Sequence, residues 1–182
     1  AYTYIEGYLV TGPQSKAAAI KARDLAKAAG RQVALTLSDF NMTKFFKDGL
    51  LEMVGPGVDF LFANESEALQ MADTADLAEA IDYCKTLSTC FAITRGPKGS
   101  VIFDGQDLLD IAPVPVQAID TVGAGDMYAG AVLYGLTQGM GFPEAGRLGS
   151  LASSRLVSRL GPRMQLTETR ALLDELPQIP VA

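Results

Sequence analysis

An apolar run of strand length, Val33–Leu37, stands between two stretches with helical patterning, and a second run, Val58–Phe62, repeats the arrangement. This alternation constrains the fold more than any other feature of the chain, because near-continuous apolar runs suit strands covered on both faces of a parallel sheet. Along the chain it predicts a strand at Tyr8–Val10, a turn at Thr11-Gly12-Pro13, and a helix with Ala18, Ala22, Leu25 and Ala29 on one face, closed by Gly30. A second helix is expected over about 42–54, short helices within 65–71 and 74–87, and a strand at Phe91–Thr94. Ser100–Phe103 and Leu108–Ile111 flank Asp104-Gly105-Gln106-Asp107, whose Asp-Gly pair reads as a hairpin turn, so antiparallel strands edge the sheet. The expected class is α/β, with a mixed, mainly parallel sheet flanked by helices.

Towards the end, Gly123–Leu136 is nearly all small or apolar, the pattern of a helix buried all round. A helix over about 143–159 puts Leu148, Ala152 and Leu156 on one face and stops at Gly161-Pro162. A last helix over about 167–176 leads into a proline-punctuated tail.

Composition removes several function classes. The net charge of −6 and the absence of any Lys/Arg stripe argue against nucleic acid as a partner. With no histidine, Ser-His-Asp and Cys-His catalysis and histidine-ligated zinc are excluded. No apolar run reaches membrane-spanning length. Cys84 and Cys90 read as two buried thiols in a reducing, cytoplasmic setting. At 182 residues the chain fits one domain.

Chemistry concentrates in Asp120-Thr121-Val122-Gly123-Ala124-Gly125-Asp126. Small residues where a loop becomes a helix let several backbone N–H groups converge at the positive end of the helix dipole, which makes an anion hole. Asp126 then sits in the first turn of an otherwise apolar helix, a costly place for a charge unless it caps the helix or serves chemistry. A carboxylate beside an anion hole is what phosphoryl transfer to an alcohol requires.

At these residues the sequence resembles the PfkB, or ribokinase-like, family of carbohydrate and nucleoside kinases, whose signature has the form D-T-x-G-A-G-D followed by a small-residue helix, here Tyr128-Ala129-Gly130-Ala131. The resemblance implies Asp126 as catalytic base and Gly123, Ala124 and Gly125 as the anion hole. Asn64-Glu65-Ser66-Glu67 is similar to the family's N-x-x-E, which implies an indirect influence of Asn64 and Glu67 on magnesium and phosphate binding, although alone it is a helix-start pattern. Thr94-Arg95-Gly96-Pro97-Lys98-Gly99 resembles T-x-G-x-x-G, placing Thr94, Gly96 and Gly99 by the nucleotide phosphates. The implied ligands are ATP and Mg2+, and the family's monovalent cation, commonly K+, would lie near Asp120, Val122 and Gly161. Asp39-Phe40-Asn41-Met42-Thr43 partly matches the sugar-kinase D-x-N-x-R, with Thr43 in place of arginine, while Ser38 is similar to the adenosine-kinase-like branch. The acceptor is therefore a sugar or a nucleoside.

The resemblance covers only the later part of a family member of about twice this length. It implies one ribokinase-like domain whose earlier strands and lid are missing from 1–182, and which forms a homodimer or associates with that earlier part. Two other nucleotide-binding patterns are ruled out. Gly123-Ala124-Gly125 is followed by Tyr128 where a dinucleotide fold needs glycine, and G-x-x-x-x-G-K-[ST] does not occur. A nucleotide-sensing module that kept the fold and lost turnover stays as the alternative.

Overall fold

The computed structural model describes residues 1–176 and divides into two compact units. The first unit, residues 1–93 with 103–107, runs β1 (Tyr2–Glu6), α1 (Pro13–Ala28), β2 (Gln32–Thr36), α2 (Phe40–Phe45), α3 (Lys47–Val54), β3 (Val58–Asn64), α4 (Glu65–Ala72), α5 (Leu77–Leu87) and β4 (Ser88–Thr94). Its strand order follows the chain; β1 pairs with β2 in parallel from Tyr2 opposite Gln32, and β2 with β3 from Ala34 opposite Phe60. Val33, Ala34, Leu35, Phe60 and Leu61 are buried on both faces, as their apolar runs predict. Fully burying the valine, leucine and phenylalanine side chains among them contributes about 1.5–3 kcal/mol each, which makes these strands the frame on which the loops at their ends are held.

Four expectations for this unit need correction. Tyr8–Val10 forms a 3-10 turn after β1 rather than a strand. Gly7 explains it: a Cβ there would lie 2.6 Å from the Thr36 carbonyl oxygen, so the chain already presses on the β2 backbone and must turn away. The helix expected over 42–54 is two helices, broken at Phe46, whose φ of −129° is not helical. The buried face of α1 is Ala19, Arg23 and Ala26, while Ala18, Leu25 and Ala29 are exposed. Arg23 is drawn inward because its Nη1 donates to the Glu52 and Met53 carbonyl oxygens at 2.7 and 2.8 Å, filling acceptors that the end of α3 leaves open. Finally, Cys84 is buried but Cys90 only partly so, and both thiols are free.

The second unit holds residues 94–102 and those from 108 onward: β5 (Ser100–Phe103, its last residue counted with the first unit), β6 (Leu108–Ile111), α6 (Ala124–Thr137), α7 (Phe142–Val157) and α8 (Leu166–Glu175). β5 and β6 are neighbours joined by the expected turn, in which the Asp104 carboxylate accepts from the amides of Gln106 and Asp107 at 2.8 and 2.7 Å. Leu148, Leu151, Ala152, Leu172 and Leu176 form the core under α7 and α8. The helix α6 is not buried all round: Tyr128, Ala129, Val132 and Gly135 face inward, and Gly125, Asp126, Gly130 and Tyr134 are exposed. Of its glycines, Gly135 serves close packing, a Cβ there lying 3.1 Å from Ala145 of α7, and α7 answers with Gly149, whose Cβ would lie 2.9 Å from both Tyr128 and Val132. The proline-punctuated tail lies outside the described residues. No helix among the described residues is long and apolar enough to cross a membrane.

Candidate active site

In the second unit, the start of α6 is built on a tight turn. Gly123 has φ 80° and ψ 3°, and the Ala124 amide donates back to the Thr121 carbonyl oxygen at 3.2 Å, the geometry of a type II turn with its left-handed third residue. Glycine is required there twice over, because a Cβ would also fall 2.8 Å from the Pro162 carbonyl oxygen. The Ala124 amide is thus engaged, while the amides of Gly123, Gly125 and Asp126 have no partner among the described residues. Gly125 is exposed with open space where its Cβ would be, and Asp126 is exposed in the first helical turn. A helix start with spare N–H donors, room above them and a carboxylate alongside can bind a phosphate and accept a proton.

Asp120 holds the approach to this turn. Its carboxylate accepts from the Val122 amide and from the Gly161 amide, each at 3.0 Å, so it ties the signature loop to the loop that ends α7. These bonds, the one from Gly161 foremost, hold its carboxyl below the ordinary range. The Ile119 amide donates to the Val157 carbonyl oxygen at 2.7 Å and doubles the connection. Sequence alone gave no sign of this link to Gly161 through a side chain.

Thr94–Gly99 lies in the same unit. Gly96 opens a single 3-10 turn with φ 57°, and the Arg95 amide donates to the Gly99 carbonyl oxygen at 2.8 Å. The Arg95 guanidinium pairs with Asp110 of β6. Gly99 is fixed by packing, since a Cβ would fall 2.1 Å from the Ile111 carbonyl oxygen. Ser100, the next residue, shares a buried hydrogen bond of 2.7 Å with the Tyr128 phenol of α6. Burial pushes that phenol up to about 12, so it stays protonated. Neither Ser100 nor Tyr128 stands out among the candidate residues in the sequence; a tyrosine in a run of small apolar residues was the available signal.

The remaining candidates belong to the first unit. Asn64 and Glu67 form a complete capping box: the Glu67 amide donates to Asn64 Oδ1 at 2.9 Å, and the Asn64 amide donates to Glu67 Oε2 at 2.9 Å. Asn64 Nδ2 also donates to Glu67 Oε1 at 2.6 Å, and Ser66 Oγ donates to Asn64 Oδ1. Every polar atom of the Asn64 side chain is therefore engaged within the helix start. Glu67 is 4% exposed, and desolvation raises its carboxyl to about 7, with the nearby Asp39 charge acting in the same direction and the Asn64 hydrogen bond opposing. Ser38, at the end of β2, holds a left-handed φ of 71° and donates to Glu6 Oε2 at 3.2 Å. Asp39 caps α2, accepting from the Asn41 amide at 2.8 Å, and Thr43 is fully buried with its hydroxyl on the Phe40 carbonyl oxygen.

Comparison with known proteins matches residues 1–169 to the model of the pfkB family carbohydrate kinases. A ribokinase of Lactococcus lactis is 32% identical over 129 residues, covering 69% of this chain and 42% of its own length. The crystal structure of adenosine kinase from Sinorhizobium meliloti superposes with a TM-score of 0.89 at 35% identity, covering 95% of this chain and 54% of that one. Aminoimidazole riboside kinase from Salmonella enterica, solved with aminoimidazole riboside and an ATP analogue, shares the fold at a TM-score of 0.81 and 18% identity, over 97% of this chain and 61% of that one. The chain thus spans about half the length of such relatives. The fold is the ribokinase-like one, a mixed six-stranded sheet flanked by helices.

Proposed function

The chain belongs to the pfkB family of carbohydrate kinases, and from that premise we propose that it carries the phosphoryl-transfer machinery of an ATP-dependent kinase acting on a hydroxyl of a sugar or nucleoside. The observation that carries the reading is the exposed Asp126 carboxylate beside the unpartnered amides of Gly123, Gly125 and its own residue, above open space at Gly125. Donors preorganised towards developing charge cost no reorganisation when the phosphoryl group transfers. The acceptor oxygen forms its bond to the γ-phosphorus as its proton passes to Asp126, and the bond from that phosphorus to the bridging oxygen breaks, releasing ADP.

Thr94, Gly96 and Gly99 supply the turn that faces the nucleotide phosphates. Magnesium would arrive on the nucleotide as Mg·ATP, and the family resemblance gives Asn64 and Glu67, locked in the capping box that opens α4, an indirect influence on it. A monovalent cation would be held by backbone oxygens of the Asp120–Val122 and Gly161 loops, whose approach the Asp120 carboxylate maintains. Ser38 favours a nucleoside among the two acceptor classes, since it resembles the adenosine-kinase-like branch and Thr43 stands where the sugar-kinase pattern has arginine.

The test is Asp126→Asn in the full natural protein carrying this chain. Transfer should fall by about 10²–10⁴-fold, the usual contribution of a general base, while ATP still binds. Undiminished turnover in that variant would end the assignment, and ATP binding with no turnover on any sugar or nucleoside by the unaltered protein would favour a nucleotide-sensing module.

A further inference from the structure

Tyr128 and Ser100 are a buried polar pair that the proposed chemistry leaves unused. They are 3% and 1% exposed, and one hydrogen bond of 2.7 Å joins them. A phenylalanine facing an alanine would leave the packing nearly intact and avoid placing two hydroxyls out of reach of water. What the bond adds is direction. Ser100 directly follows Gly99, the last residue of the Thr94–Gly99 turn, and Tyr128 follows Asp126 by two positions, about 200° around a helix. Fixing the ring inward therefore turns Asp126 outward.

The ring has no freedom to swing. A Cβ on Gly149 would be 2.9 Å from its Cε2 atom, so α7 lies directly against it. A second fastening acts on the same helix start, where Ser153 Oγ of α7 donates to the Ala124 carbonyl oxygen at 3.1 Å. We propose that Tyr128, through Ser100, is a positioning residue: it sets the rotation of α6 that aims Asp126 and keeps the helix start at a fixed separation from the Thr94–Gly99 turn. The proposal rests on Asp126 being the base.

Tyr128→Phe, Ser100→Ala and the double variant, made in the full natural protein carrying this chain, separate aim from packing. Each single change should lower kcat about tenfold, as a small misplacement of a reacting group does, with KM for ATP within about twofold. The double variant, which leaves no buried hydroxyl unpaired, should recover thermal stability but not kcat. Recovery of both together, or single variants with unchanged kcat, would overturn the positioning role. Should Tyr128→Phe fail to fold, Ser100→Ala alone reads the same outcomes. Asp126→Asn is measured in parallel: full turnover there overturns the base assignment and the positioning role with it, whereas loss there with unaffected kcat in the pair overturns only the positioning role.

Discussion

Gly123 and Gly125 are neighbours but one in the signature, and the structure gives them opposite duties. Gly123 occupies a left-handed turn position against Pro162, so Gly123→Ala strains the backbone and drives a methyl into a carbonyl. The expected cost is about 2–3 kcal/mol, seen as a lowered Tm in thermal unfolding. Gly125 meets nothing, so Gly125→Ala should hold or slightly raise Tm through helix propensity while weakening ATP binding or transfer at least about tenfold, because its methyl enters the space above the free amides. Glu67 makes a prediction of a different kind. Its carboxyl is raised from 4.5 to about 7 by burial, so the folded state holds the proton more tightly than the unfolded chain. Stability from this group is complete below about pH 4.5 and is lost as pH rises through about 7, amounting to about 3 kcal/mol. Glu67→Gln, which can still accept from the Asn64 amide, should flatten that slope in denaturant unfolding measured from pH 5 to 8.

At the scale of elements, α6 and α7 approach closely through glycine, and the contact has little slack. In Gly149→Ala the added methyl would press on the Tyr128 ring and on Val132, an overpacking cost of about 1–3 kcal/mol that exceeds the gain of about 1 kcal/mol in helix propensity. A Tm below that of the unaltered protein is the expected result; a rise would mean that the helices separate freely. The strands β2, β3, β5 and β6 were legible in advance because apolar runs and an Asp-Gly turn act locally. The buried face of α1 was not, because it is set by an arginine reaching the far end of another helix, and an apolar pattern cannot register a charge that is buried by its partners. The start of α6 was found from its small residues, yet its solvent-facing side was not, since alanine and glycine suit either environment. In the signature, Asp126 and the glycines were readable as types, whereas the Asp120 bond to Gly161 depends on residues far apart in sequence.

For the whole molecule, charge sets a testable expectation. The chain carries −6, so its net charge does not attract ATP, and the proposed site relies on short-range amide donors. Raising salt from about 0.05 to 0.3 M at constant free magnesium should change ATP affinity by less than about threefold in calorimetry, unlike the steep loss shown by proteins that neutralise phosphates with surface lysines. A large loss would point to a basic contact that the signature does not supply. The type II turn at Thr121–Ala124 carries this one step further. It leaves the Ala124 amide bonded and its neighbours Gly125 and Asp126 bare, so in hydrogen exchange one slow amide should stand beside two fast ones. Nucleotide would then announce itself as protection appearing at those two amides, a record of occupancy that can be read residue by residue without following any reaction.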